Sequence, residues 1–220
     1  MPKRGQIMGG RGATSSLGGG RGKPNEATEY YVSGEGMWIN QYLRGRGDFG
    51  ELSEGEKEYL KDLDKATDGK VGERTLWRNV DASAIFGNMN DGDYENIGTV
   101  LTYGENAFGK GAYAESIVNR VNNIIQKTTG KTITEKGFMS TTSDENIAKE
   151  WGDFTGSEKP IVMKIKTNSK TKGVNLSGYD KNVSADQAQK ETLLGRNQSF
   201  NVNKIYSKDG QIYVDVEMNG

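Results

Sequence analysis

The chain has 220 residues, with 29 lysines and arginines against 30 aspartates and glutamates, and it contains neither histidine nor cysteine. Zinc fingers, histidine-based nucleophile systems, histidine-ligated haem and disulfides are therefore excluded, and catalysis has to run on carboxylates, hydroxyls, amides, lysine, arginine or tyrosine. Hydrophobic content is 33% and mean hydropathy -0.77, so part of the chain is expected to stay outside any core, while no apolar run reaches the roughly 20 residues that span a bilayer and none resembles a signal segment near the start. A soluble chain of one domain with an extension is expected.

Residues 1–24 carry Lys3, Arg4, Arg11, Arg21 and Lys23, eight glycines and no acidic residue. Such a segment has too little apolar area to offset its ordering entropy, and it is read as a flexible basic Gly-rich arm on a domain spanning 25–220. One reading makes the arm a dispensable tail. The other makes it a contact for nucleic acid or a virion, since Arg/Gly segments attract phosphate without a fold.

Beyond the arm, Trp38, Ile39, Tyr42 and Leu43 recur at helical spacing before Gly45 and Gly47. Ser53 and Glu56 form a capping box ahead of Tyr59, Leu60, Leu63 and Ala66 on one helix face. Thr75–Val80 is β-prone, and Tyr113, Ile117, Val121 and Ile124 predict a further amphipathic helix that stops near Gly130. The period then changes. Ile161, Met163 and Ile165 alternate with Val162, Lys164 and Lys166 as in a strand with one buried face. Phe200 and Val202 lead toward Ile205, and Asp209-Gly210 predicts a hairpin turn before Ile212–Val216. Helices first and strands second predict an α+β domain with a mostly antiparallel sheet.

Three separated segments stand out: Leu76-Trp77-Arg78, the run from Gly137 through Ser140-Thr141-Thr142 to Ser143, and Gln189-Lys190-Glu191 before Thr192-Leu193-Leu194. Each alone is ordinary: a paired arginine, a strand end before a helix cap at Asp144, the wet face of a strand. In this order they resemble the mono-ADP-ribosyltransferase family, in the arginine-serine-glutamate branch that includes clostridial binary toxins and Rho-modifying exoenzymes. Ile39-Asn40-Gln41-Tyr42-Leu43-Arg44 is similar to that family's N-terminal helix, and Asn146–Trp151 to the helix after its serine strand. The resemblance runs from about Tyr30 to Met218. It implies a two-sheet core behind N-terminal helices, NAD as substrate without a metal, and a macromolecular acceptor, expected to be a protein in a host cytoplasm.

The resemblance also implies roles. Glu191 would hydrogen-bond a ribose hydroxyl and stabilise the cationic ribose that forms when the nicotinamide bond breaks. Arg78 would pair with the NAD pyrophosphate or nearby ribose through its guanidinium fork. Ser140 would hold the nicotinamide-ribose end, with Asn40 as a further NAD contact, while Thr141 and Thr142 tie adjacent strands. Trp151 or Phe154 would cover the nicotinamide, although Trp151 at helical spacing from Ile147 and Ala148 reads equally as core. Tyr179, in the polar stretch from Leu176 to Gln189, would meet the acceptor or simply be an exposed loop residue. Residues 189 and 191 share a face if both lie on one strand.

Three departures from the family pattern matter. Gln189 stands where arginine-modifying relatives have a second glutamate, and a neutral amide matches another amide, which favours asparagine or glutamine over arginine as acceptor. Asn79 replaces a common glycine, acceptable if the site needs left-handed backbone. Gly195 replaces a common proline. Two other readings remain open: an NAD glycohydrolase, in which water takes the ADP-ribose, and a non-catalytic, phage-type virion or interaction protein on a transferase-like fold, attached through its arm.

Overall fold

A computed structural model of the chain describes residues 22–36, 38–46, 49–155, 157–177 and 190–219, with 152–155 described by backbone alone. The arm up to residue 21, Tyr179, Gln189 and the Phe154 side chain thus lie outside the described residues. Gly22 sits so close to the Ala66 and Gly173 carbonyls that a Cβ would come within 2.5 Å of each. Contact with the folded domain therefore begins before Asn25.

Three helices come first. α1 (Glu26–Val32) opens on an Asn25–Thr28 capping box, α2 is Trp38–Leu43, and α3 (Glu54–Thr67) opens on the expected Ser53–Glu56 box. Their inward residues, including Tyr31, Ile39, Tyr59 and Leu63, form one apolar cluster with Phe138, Val174, Leu176 and Leu193. Burial of this face, more than helix propensity, holds such short helices.

β1 (Thr75–Asp81) precedes α4 (Ser83–Phe86), α5 (Asp91–Tyr103) and α6 (Ala112–Thr128), and then come β2 (Thr132–Glu135), β3 (Met139–Thr142), α7 (Glu145–Thr155), β4 (Pro160–Lys166), β5 (Gly173–Asn175), β6 (Glu191–Leu194), β7 (Gln198–Lys208) and β8 (Gln211–Met218). α5 has no counterpart in the sequence pattern, because two glycines and two aspartates interrupt its periodicity; only Asp93, Ile97 and Val100 are buried. α6 forms as expected but is rotated. Ala114, Val118 and Val121 face inward, whereas Tyr113, expected on the buried stripe, is 81% exposed.

The strands run in the order β2-β7-β8-β4-β1-β3-β6-β5, antiparallel throughout except for β4 beside β8. Asp209 and Gly210 both have positive φ, as a two-residue hairpin turn requires. The second apolar cluster lies under α4–α6 and draws on Leu76, Met139, Met163, Ile165, Leu194, Val214 and Val216. β4 is buried on both faces, Val162 included, because α7 packs over β1, β3 and β4.

The two halves of the sheet meet at a narrow seam. β1 pairs with β4 over seven residues but with β3 through Trp77↔Thr142 alone. The expected two-sheet core is thus one strand order whose two leaves share a single pair.

α7 is anchored at its start. Glu145 Oε1 accepts hydrogen bonds from Lys208 Nζ at 2.7 Å and from the Tyr213 hydroxyl at 2.7 Å. Lys208, then Tyr213 and Lys149, hold this carboxyl down at about 2. A depressed carboxylate contributes stability above its unfolded pKa, roughly 4.3, and loses it as pH falls through the folded value. Urea midpoints should therefore drop between about pH 4.5 and 2, and Glu145→Gln should be less stable than wild type near pH 6 while losing less on acidification.

Candidate active site

β1, β3 and β6 are neighbours, so three distant sequence segments deliver side chains to one place. In β3 and β6, Thr142 stands opposite Glu191 and Ser140 opposite Leu193. The Thr141 hydroxyl donates to the Thr192 carbonyl at 2.5 Å, tying these strands. Thr142 Oγ1 accepts from the Asp144 backbone N–H at 3.2 Å.

The hydroxyl of Tyr31, on α1, is where the site converges. Burial raises its pKa, and Arg78, Ser140, Glu191 and Asn40 all act on it, Ser140 and Asn40 by hydrogen bonds and the other two by charge. No sequence pattern singles Tyr31 out from its neighbour Tyr30. Arg78 is pulled below the ordinary arginine value by burial, with the Tyr31 hydroxyl and the charges of Arg44, Glu135 and Glu191 acting on it as well. Its Nη1 is buried without a hydrogen-bond partner. A guanidinium stays charged under these conditions, so an unpaired buried N–H on it is costly and suited to an incoming anion.

A cleft of about 500 Å³ opens beside β1, lined by Arg44, Arg46, Arg78 and Lys136 and by only two acids, Asp81 and Glu135. The cationic surplus suits a phosphate-bearing ligand. Asn79 and Met139 line it too, one on each side of the seam.

Asn40, expected to touch NAD, has its amide turned inward. Its Nδ2 donates to the Tyr31 hydroxyl at 2.6 Å and to the Phe138 carbonyl at 3.2 Å, and its Oδ1 accepts from the Phe138 N–H at 2.8 Å. Four residues on, Arg44 Nε meets Glu135 Oε1 at 2.9 Å, and the same oxygen accepts from the Gly137 N–H at 2.7 Å. One face of α2 thereby grips the turn that leads into β3. Gly137 is required there, since a Cβ would lie 2.6 Å from Asn40 Oδ1.

Trp151 is half-buried on α7. β6 begins at Glu191, and Lys190 has φ +46°, while Gln189 lies outside the described residues. Lys190 Nζ reaches Asp144 Oδ2 at 2.9 Å. Asn79 lies within extended β1 and needs no left-handed backbone. Gly195 donates its N–H to the Lys172 carbonyl at 3.0 Å, a bond that proline could not make.

A family model described as ADP-ribosyltransferase exoenzyme matches residues 23–219. No curated protein matches the chain. Among solved structures, Plx2a, an ADP-ribosyltransferase toxin from Paenibacillus larvae, is 18% identical with a TM-score of 0.59, over 88% of this chain and 84% of that one. C3stau2 from S. aureus, solved with NAD, is 19% identical with a TM-score of 0.58 over the same shares, 88% and 84%. An ADP-ribosyltransferase from Clostridium botulinum, in a triclinic crystal form, is 22% identical with a TM-score of 0.56, again over 88% and 84%. At these identities the likeness shows the fold.

Asn40→Ala would leave the buried Phe138 N–H without a partner. Its stability should fall by about 1–3 kcal/mol, read from urea denaturation.

Proposed function

This chain belongs to the ADP-ribosyltransferase exoenzyme family, and on that premise we propose that it moves ADP-ribose from NAD to an asparagine or glutamine side chain of a host protein. NAD-dependent mono-ADP-ribosylation is the family's reaction, and NAD is the substrate. Among the described residues no group of acidic side chains is placed to hold a metal ion.

The observation that carries the site assignment is the gathering of Arg78, Ser140 and Glu191 about the Tyr31 hydroxyl, with an unpartnered Arg78 N–H and a cation-rich cleft that Arg78 lines. Arg78 is assigned to the pyrophosphate, an acceptor-only group matched to a fixed fork of donors. Ser140 holds the nicotinamide-ribose end. As the bond between ribose C1′ and the nicotinamide nitrogen breaks, its electron pair leaves with nicotinamide and the ribose becomes cationic. Glu191 is buried, so its charge acts on that cation through a medium less screening than water. The acceptor amide nitrogen then bonds to C1′ and releases its proton. Trp151 and Phe154 are assigned to the nicotinamide side of the site.

Gln189 and Tyr179 are assigned to the acceptor. Gln189 stands two residues before the catalytic carboxylate in the sequence, which is the basis of its assignment. A glutamine amide gives and takes a hydrogen bond with another amide but cannot neutralise a guanidinium, which supports an amide acceptor.

Glu191→Gln should lower nicotinamide release by roughly 100-fold to 1000-fold and leave NAD affinity by calorimetry unchanged; near-wild-type turnover would overturn the mechanism. Gln189→Ala should suppress labelling of the protein target far more than it suppresses NAD hydrolysis without target. Equal losses in both assays would place residue 189 in NAD cleavage and remove the argument for an amide acceptor.

A further inference from the structure

Among the described residues, three that are not glycine have positive φ: Lys190, Asn197 and Asp209. Asparagine and aspartate enter that region readily, because their short polar side chains can hydrogen-bond to nearby backbone. Lysine has no such local bond and is disfavoured there by a factor of about five or more. Lys190 is thus the one of the three whose residue type does not explain its backbone, and it directly precedes Glu191, the first residue of β6.

The contacts of Lys190 supply the explanation. Its Nζ meets Asp144 Oδ2 at 2.9 Å, and its carbonyl accepts from the Ser143 N–H at 3.3 Å. Asp144 is itself held in place, since its Oδ1 accepts from the Asn146 N–H at 3.0 Å in the first turn of α7 and its own N–H donates to Thr142 Oγ1. The Lys190 hydrogen bond is the first cause of the lowered Asp144 pKa, ahead of the Asn146 N–H. The two side chains of this ion pair are 56% and 29% exposed, and a pair so exposed shifts an equilibrium by up to about fivefold. That is small against the stability of a fold. It is of the same size as the disadvantage of lysine in left-handed backbone, so it can decide between two backbone states at one residue.

We infer that the Lys190–Asp144 pair is a clasp that keeps Lys190 left-handed and thereby aims Glu191, which makes both of them positioning residues for the transfer. The inference rests on the assignment of Glu191 as the catalytic carboxylate. On its C-terminal side Glu191 is fixed by the β3–β6 ladder, which runs from Thr142↔Glu191 to Met139↔Leu194, and its carbonyl accepts from the Leu176 N–H at 2.9 Å. On its N-terminal side the backbone angles of Lys190 set the direction of entry. Turning Lys190 to the extended region rotates the peptide plane that leads into Glu191, and a misplacement of about 1 Å at a reacting group can cost up to about 100-fold in rate.

Nicotinamide release at saturating NAD, NAD affinity by calorimetry and melting temperature together test this. Lys190→Met removes the charge and keeps the stem, and Asp144→Asn keeps an oxygen for the Asn146 N–H. Each should lower kcat by about 3-fold to 10-fold at wild-type NAD affinity and melting temperature, and the double variant should be no slower than either. Lys190→Arg, which keeps the ion pair, and Lys190→Asn, which takes left-handed backbone without one, should both retain the wild-type kcat. Adding Asp144→Asn to Lys190→Asn should then change nothing. A merely structural ion pair would lower the melting temperature along with the rate and would not be rescued by asparagine. Wild-type kcat in Lys190→Met and Asp144→Asn, or a Lys190→Asn protein as slow as Lys190→Met, would overturn the inference. Should Asp144→Asn fail to fold, the comparison of Lys190→Met with Lys190→Asn decides alone. No nicotinamide release from the unaltered protein, or undiminished release from Glu191→Gln, would overturn the transferase reading instead.

Discussion

β1 is held to β4 by a seven-pair ladder and to β3 by a single pair, and the candidate site occupies the place where that second ladder is missing. Each backbone group of a buried strand needs a partner, so a sheet closes wherever it can. Here it does not close beyond Trp77 and Thr142. A cleft lined by Arg78, Asn79 and Met139 lies beyond that pair. Arg78 and Asn79 carry buried polar atoms without partners at that edge.

Holding the seam open requires that each leaf be rigid by itself. The β1-side leaf rests on the cluster under α4–α6. The β3–β6–β5 leaf is too short for that: β5 has three residues and β3 and β6 four each. Its support is the N-terminal helical layer, through the cluster around Tyr31, Ile39 and Leu63. The α2 grip on the β2–β3 turn, through Asn40 and Arg44, sets where β3 starts and hence where Ser140 stands. Asn40, in a sequence motif that reads as ligand contact, is hydrogen-bonded to Tyr31 and to the backbone of Phe138.

The elements legible in the sequence are those whose stability is local or whose burial is periodic. The Ser53–Glu56 cap, the α3 stripe, the β4 alternation and the Asp209-Gly210 turn each depend on residues a few positions apart. α5 is not legible, because its place depends on packing of Ile97 and Val100 under a non-periodic, glycine-bearing sequence. On α6, spacing alone puts Tyr113 on the buried face and the fold does not, since helical spacing defines a stripe but not which neighbours will cover its edge.

For the site, the order of the arginine, serine and glutamate segments in the sequence is enough to indicate the family and the reaction, because that chemistry demands particular side chains whatever holds them. What the sequence could not determine is which residues meet. Tyr31, more than a hundred residues from Ser140 and Glu191, joins them only once α1 lies on the β3–β6 leaf. The amide of Asn40 is satisfied by the Tyr31 hydroxyl and by a turn 98 residues away. Whether a polar atom such as Asn79 Oδ1 finds a partner inside the protein is likewise a property of packing.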